Sequence, residues 1–564
     1  MFKYNLFLLI FLPTFFFAQE IKKENLSKRV SQYWDFNKTK IQSTGSYYVD
    51  QLGETEDNHG KWIYFDKFGS IEEERNYYRG KLNGKVMVYY PNGKPKQEGY
   101  FKMDKQDSIS REWNENGKLA KEGSFKDDRP FGIWKYYYID GKEKSHEEEV
   151  DSVNYVRSFW IDDSVHTQTI TNGTGEMFVY HNTGTLKEYY AYKDGLKDGP
   201  FEENSIYGYK LLTGSFKNGK MDGEWIYSYY TGETEKITHY KNGLLDGDYQ
   251  YFYDKKRLQV KGQYLEGQKT GEWTWYTNTG SLDMQGSFLK DKQNGKWTYW
   301  YPTGNQVSYT AEYTDDKKTG HWTYWYQNGK KFKEGDFAND EKNGRWRTWY
   351  ENEVLLMDGV YVNGKEEGEW LNYWDNAVLK NSVSFKKGLM NGVWKSFYPS
   401  GHPKLTGFYK DNFKTGEWVD YFENGSPKDV VTYKVVKEKS KVKYGFMKGR
   451  EIKESVKDGH SASYSAKDFR KTEEGDFKNG KKDGEWIAYY PGGKMAAIVT
   501  NYKEGELDGP MKQYDRRGKI TSEINYKGGI KHGKFLVYNE KGKVTIEKTF
   551  ANGMEVKGGT FSPK

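Results

Sequence analysis

The chain has 564 residues, 88 of them basic and 81 acidic, for a formal net charge of +7. Both signs are mixed along its length, which excludes the clustered basic footprint of a nucleic-acid binder. It contains no cysteine, which excludes disulfides, thiolate nucleophiles, cysteine-held metals and a lipidated N-terminal cysteine.

Mean hydropathy is −1.02, yet 18% of residues are aromatic. That is the opposite of a disordered composition; the apolar content has moved from aliphatic side chains into Trp, Tyr and Phe. Residues 1–18, "MFKYNLFLLIFLPTFFFA", read as a secretory signal peptide with cleavage after Ala18. Its apolar run is short and broken by Pro13, so it is a poor membrane span. Losing Lys3 with it leaves 7 − 1 = +6. No later apolar stretch reaches span length, so the expectation is an exported chain: periplasmic, envelope-associated or secreted.

Residues 19–60 read as a leader and a degenerate capping repeat. Repeats proper fill 61–140, a central array fills 175–428, and further repeats with a cap fill 459–564. The Gly that precedes "x-W" sets the phase. It recurs every 24 residues at Gly175, Gly199, Gly223, Gly247, Gly271 and Gly295. One step of 25 leads to Gly320, and Gly344, Gly368, Gly392 and Gly416 follow at 24. The same phase holds at Gly60, Gly84 and Gly132, and at Gly484, Gly509 and Gly533. Eleven of the 19 tryptophans stand two residues after that Gly: Trp62, Trp134, Trp225, Trp273, Trp297, Trp322, Trp346, Trp370, Trp394, Trp418 and Trp486. An aromatic such as Phe216, Tyr313 or Phe337 stands seven before the next one.

Each unit reads as a β-hairpin. The first strand, as in "EWIYSYY", suits a pleated surface. It ends in "PNG" (91–93), "QNG" (327–329) or "ENG" (423–425), where Asn-Gly tolerates the positive φ of a tight turn. The second strand, as in "KFKEGDF", carries a Gly two before its aromatic; its absent side chain makes room for a neighbouring ring. A second turn, as in "KNGKMDG" (217–223), returns the chain. Single hairpins are marginal in water, and stacking them supplies each strand with a partner and each ring with a neighbour. The expected fold is all-β: an elongated rod of ~20 tandem antiparallel hairpins in a single twisted sheet. Two segments break the rhythm. From Gly132 to Gly175, and from Gly416 to Gly459, the step is 43 residues, which is 24 plus 19. Segments 141–174 and 429–458 are therefore irregular, each an extra hairpin or a bend between sub-arrays.

"EGDFANDEKNGRW" (334–346) and "TGSFKNGKMDGEW" (213–225) resemble the MORN repeat: a Gly, an aromatic two on, a Gly-containing turn, another Gly and an aromatic. With "YYPNG" (89–93) inside the unit, the chain is similar to the bacterial MORN variant found in proteins labelled antitoxin components. The resemblance covers nearly all of 33–559. It implies scaffolding and protein–protein contacts, and less securely membrane lipids. Nothing in the residues supports lipid association, since no basic amphipathic helix is present. The antitoxin label implies neutralising a toxin. A secreted chain fits an envelope immunity protein better than a cytoplasmic antitoxin.

No nucleophile elbow, phosphate loop or helical His pair occurs. The nine histidines are scattered, and His321 stands where other copies have Glu or Lys. Asp222 and Asp483 in "DG" match only a fragment of a calcium loop; a turn Asp is the reading. The expectation is no enzyme, no catalytic residue, no cofactor and no metal. Gly271, Gly295, Gly320 and Gly344, with the tryptophans two beyond, are structural repeat positions. The candidate binding residues are Trp300, Trp325 and Trp349, five after the phase Gly in three successive repeats. In an extended strand they oppose Trp297, Trp322 and Trp346. Either both sets are packing, or the second forms an aromatic ladder of ~10 Å period. Two functions remain open: an extracytoplasmic scaffold binding protein partners along its length, or a glycan- or cell-wall-binding protein using that ladder.

Overall fold

The computed structural model describes residues 22–254, 257–439 and 451–557. The signal peptide expected at 1–18 and the closing "FSPK" lie outside the described residues. The chain divides into two units, Met1–Gln268 and Lys269–Lys564. The described residues form 43 β-strands and one short 3₁₀ turn, Lys23–Asn25, with no α-helix. Within each unit the strands follow chain order, and each pairs antiparallel with its neighbours in sequence. The all-β hairpin repeat read from the sequence is the fold.

One repeat shows how the residues dictate it. Lys317–Trp325 pairs with Lys331–Ala338, which pairs with Glu341–Trp349. The turn between the last two has only Asn339 and Asp340 in its loop, at φ 49° and 70°. Two successive left-handed residues make the turn whose twist matches a hairpin. Asn218-Gly219 does the same between Lys217 and Lys220.

The "PNG" turn differs from the sequence expectation. Only its Gly is left-handed: Gly93 has φ 78°, while Asn92 does not have positive φ. The Gly93 N–H donates to Tyr90 O at 2.8 Å and the Tyr90 N–H to Lys94 O at 2.9 Å. This is a three-residue loop, a type I turn followed by a Gly bulge. The Asn is used for its side chain instead. Asn92 Oδ1 accepts from the Lys94 N–H, and its Nδ2 donates to Glu115 O in the next repeat.

The phase Gly sits at a bulge. Glu334 is opposite Arg347 and Asp336 opposite Asn343, so Gly335 alone faces the stretch around Gly344, whose φ is 73°. This sets Trp346 flat on Gly335. A Cβ built there would lie 2.2 Å from Cδ2 of the indole. Gly214 meets Trp225 and Gly286 meets Trp297 in the same way, at 2.2 and 2.0 Å. The rings are sealed, with Trp346 1% and Trp225 1% exposed. The indole N–H of Trp346 donates to Asp336 O at 3.1 Å, and that of Trp225 to Ser215 O. Phe337 stands edge-on to both Trp322 and Trp346, at 5.0 and 5.1 Å. The core is thus a zipper of Trp, Gly and edge-on aromatics on one face of the sheet.

The repeats at Trp322 and Trp394 lack this Gly; Ala311 is accommodated, with Trp322 only 3% exposed. Val383 stands opposite Trp394, the ring is only half-buried, and its Nε1 has no hydrogen-bond partner among the described residues. Elsewhere Ser108 occupies a phase-Gly position with φ 71°.

The two 19-residue excesses take different forms. In 141–174 the chain adds a hairpin-sized unit, Val153–Trp160 with the short strand Gln168–Thr171, packed on a small core of Val156, Phe159, Ile170 and Tyr192. In 429–458 one hairpin is lengthened: Pro427–Lys439 pairs with Glu451–Tyr464 from Asp429↔Ser463 to Lys439↔Glu451. The middle of that segment, 440–450, lies outside the described residues.

Candidate interaction surface

The two faces of the sheet differ chemically. On the aromatic face, a Lys two residues before the phase Gly covers the rings. Lys342 Nζ lies 4.7 Å from the centroids of both Trp346 and Tyr361. Lys482 stands 3.7 Å over Trp486 and 5.4 Å from Tyr502, and Lys318 covers Trp322 and Phe337. The long stem packs on apolar surface while the ammonium takes the ring face and the water. The sequence shows these lysines only as turn residues.

The opposite, outer face carries charge. Glu334, 6% exposed, accepts from Lys331 Nζ and Arg347, each at 2.7 Å. Glu98, 5% exposed, meets Lys85 at 2.5 Å and Arg111 at 3.1 Å. Burial acts to raise the Glu98 carboxyl, but the hydrogen bonds and charges of Lys85 and Arg111 outweigh it and hold it below its usual value. His321 is exposed on this face, with Nδ1 2.7 Å from Asp336 Oδ1. Asp222 accepts from the Asn242 N–H and Asp483 from the Glu504 N–H, so each ties one turn to the next. Among the described residues no group of three potential ligands could hold a metal.

Trp300, Trp325 and Trp349 are half-buried. Each follows a register shift at the end of its strand. Lys331 Nζ and the Arg347 guanidinium stand 5.3 and 5.7 Å from the Trp349 ring, which places that ring beside the Glu334 ion pairs. The backbone carbonyls of the last two accept the next structural bond: Tyr301 OH donates to Trp325 O at 2.7 Å and Tyr326 OH to Trp349 O at 2.8 Å. Trp225, Trp273, Trp297, Trp322, Trp346, Trp370 and Trp418 are buried on the aromatic face, and Trp394 is half-buried. Gly271, Gly295, Gly320 and Gly344 all have φ between 61° and 76°.

The polar pattern of the outer face fails in two described stretches: a pair in the second unit, Val393 opposite Phe408, 47% and 41% exposed, and a larger group in the first. Ile109 is 40% exposed, Phe131 59%, Ile133 51%, Val150 43% and Val153 42%. Register puts them side by side: Ile109 and Phe131 both face Ser124, Ile133 faces Glu148, and Val150 faces Val153. In other copies the residues flanking the phase Gly are Asp222 and Glu224, or Asn343 and Arg345. Periodicity alone does not reveal this patch. The departure from the repeat consensus, "FGI" for "DGE", does.

The zipper, its two turn types and the covering lysines define a β-hairpin repeat protein. A family profile described as "MORN repeat variant" matches residues 82–103, 106–127, 318–339, 390–411, 414–434, 482–504, 507–527 and 531–552. The chain is a MORN-repeat protein. No curated protein matches it at a significant level. Among solved structures it is similar to the crystal structure of TcdB2-TccC3, with 10% identity over 90% of this chain and 32% of that one, at a TM-score of 0.13. The crystal structure of TcdB2-TccC3-Cdc42 gives 9% identity over 91% and 30%, also at 0.13. The chain spans about a third of the length of those chains.

Proposed function

We propose that this chain is a non-enzymatic scaffold, exported from the cytoplasm, which holds a protein partner against the outer face of its sheet as an envelope or immunity factor. MORN repeats suggest a scaffold for protein interaction, and the observation that carries the finer reading is the patch of Ile109, Phe131, Ile133, Val150 and Val153. A group of exposed apolar residues on a face rich in ion pairs, larger than the Val393–Phe408 pair of the second unit, marks contact with another protein. A glycan stacked on Trp300, Trp325 and Trp349 is less well supported, because Lys331 and Arg347 already stand near the Trp349 ring. The test is affinity capture after crosslinking in intact cells, using the full chain and its Phe131→Asp/Ile133→Asp variant. A stoichiometric protein captured by the parent and lost by the variant, at unchanged melting temperature, supports the reading. Equal capture by both refutes it.

A further inference from the structure

The lengthened hairpin in the second unit has no place in the repeat. Ordinary strands there have 8 or 9 residues; these have 13 and 14. The neighbouring strands do not follow them outward. The ladder to Phe413–Tyr421 ends at Gly416↔Tyr433, and the ladder to Lys471–Lys478 ends at Gly459↔Phe477. The last tie is the Gly480 N–H to Lys457 O at 2.8 Å. Beyond it, Lys434–Lys439 and Glu451–Val456 pair only with each other among the described residues.

Such an arm is unfinished. Two strands alone are marginal in water, and among the described residues neither outer edge has a strand beside it. Its own cross-strand pairs are poor. Lys437 lies opposite Lys453, both exposed, and Val436 lies opposite Glu454. Like charges directly opposite destabilise a sheet. Lys434 is paired with Asp458 at 2.9 Å; Lys437 reaches Glu451 at 3.1 Å, but both of those side chains are more than half exposed, so the Lys437 pair is weak and exchangeable. The free edge therefore reads Lys434, Val435, Val436, Lys437: basic, apolar, apolar, basic. Its antiparallel complement is acidic, apolar, apolar, acidic.

We propose that the arm is a strand-addition site, and that an extended segment of a partner protein with the pattern Glu-Val-Val-Glu adds as a third strand along Lys434–Lys437. Main-chain hydrogen bonds supply affinity, and Lys437, with Lys434 on exchanging its Asp458 partner, supplies the choice of an acidic segment. The proposal shares with the scaffold reading only that the ligand is protein; it stands on residues of the other unit and fails separately from the patch.

The experiment is fluorescence anisotropy of a labelled ten-residue peptide with a Glu-Val-Val-Glu core, added to the full chain. Three controls decide it: a Lys-Val-Val-Lys core, a chain in which Asn-Gly-Lys replaces 435–456, and Lys437→Glu/Lys453→Glu. The replacement puts Gly459 seven positions after Tyr433, as in the ordinary repeat, and so restores its turn. The expected result is saturable binding to the parent, weakened about tenfold or more in each control, with slowed amide exchange at 434–437 in the complex. If the replacement chain misfolds, the double charge variant decides alone. No binding, equal binding of the Lys-core peptide, or binding kept by either variant overturns the proposal. So does a concentration-dependent dimer of the free chain that the replacement abolishes, because it assigns the edge to a second copy.

Discussion

Gly335→Ala tests the zipper at one atom. The added Cβ would lie 2.2 Å from Cδ2 and 2.3 Å from Cε2 of Trp346. A comfortable carbon–carbon contact is about 3.5 Å, so the ring must retreat by about 1.3 Å. That ring is 1% exposed, bonded through its N–H to Asp336 O, and edge-on to Phe337 and Tyr361. Overpacking costs about 1–3 kcal/mol and a stretched indole hydrogen bond about 1 kcal/mol more. Removing a Gly returns roughly 0.5–1 kcal/mol through the unfolded chain. The net loss is about 2 kcal/mol. In a repeat array it appears as local opening and not as a single melting transition. Amide exchange of 331–349 should therefore accelerate about 30-fold, and tryptophan emission should shift to the red. Unchanged or slower exchange in that segment would refute the reasoning. The molecule carries two comparisons: Ala311 at the equivalent position leaves Trp322 3% exposed with its N–H bonded to Glu312 O at a longer 3.3 Å, whereas the larger Val383 goes with a half-buried Trp394.

The converse change, Val383→Gly, should bury Trp394 and slow exchange at 389–397, read by the same measurement. Ser108→Gly relieves a left-handed serine at φ 71°; relief of about 1–2 kcal/mol against the glycine's entropy leaves a gain of about 0.5–1 kcal/mol, seen as slower exchange at 105–126. Tyr326→Phe removes the 2.8 Å bond to Trp349 O and should cost about 1 kcal/mol, measured by denaturant-dependent exchange of 341–349. His59 is 1% exposed between Tyr48 and Tyr78 and accepts from the Arg79 N–H. Burial, and then the Arg79 charge, hold it below its ordinary 6.5. Its unfolded form takes the proton first, so the stability it contributes is complete above about pH 6.5 and is lost as pH falls toward the folded value. Proteolysis of the N-terminal strands should quicken between pH 7.5 and 5.5, and His59→Phe should flatten that dependence.

How much of this was legible follows from what a period records. Recurring Gly, Trp and a second aromatic give the hairpin, the face and the reason for the Gly, because one geometry relates all three wherever they occur together. Turn type is less visible. Asn-Gly serves both ends of the hairpin, and loop length, set by register, decides whether the Asn is left-handed as at Asn218 or bonds sideways as at Asn92. The two equal excesses of 19 residues give a length without a form; one became a small packed unit and the other an arm. Lys342 and Lys482 look like turn residues until register sets them opposite Phe337 and Phe477 on the ring face. Trp325 and Trp349 draw attention by size, whereas Phe131 and Ile133 show only as breaks in a pattern.

The most direct test of the central claim is a photoreactive amino acid placed in the full chain, in intact cells, at Ile133 on the outer patch, at Trp325 on the candidate ladder, and at Lys342 on the aromatic face. The account predicts a discrete protein adduct from position 133 and none of comparable yield from position 342. Adducts of equal yield from all three, or capture at position 325 alone in cell-wall material, would contradict it.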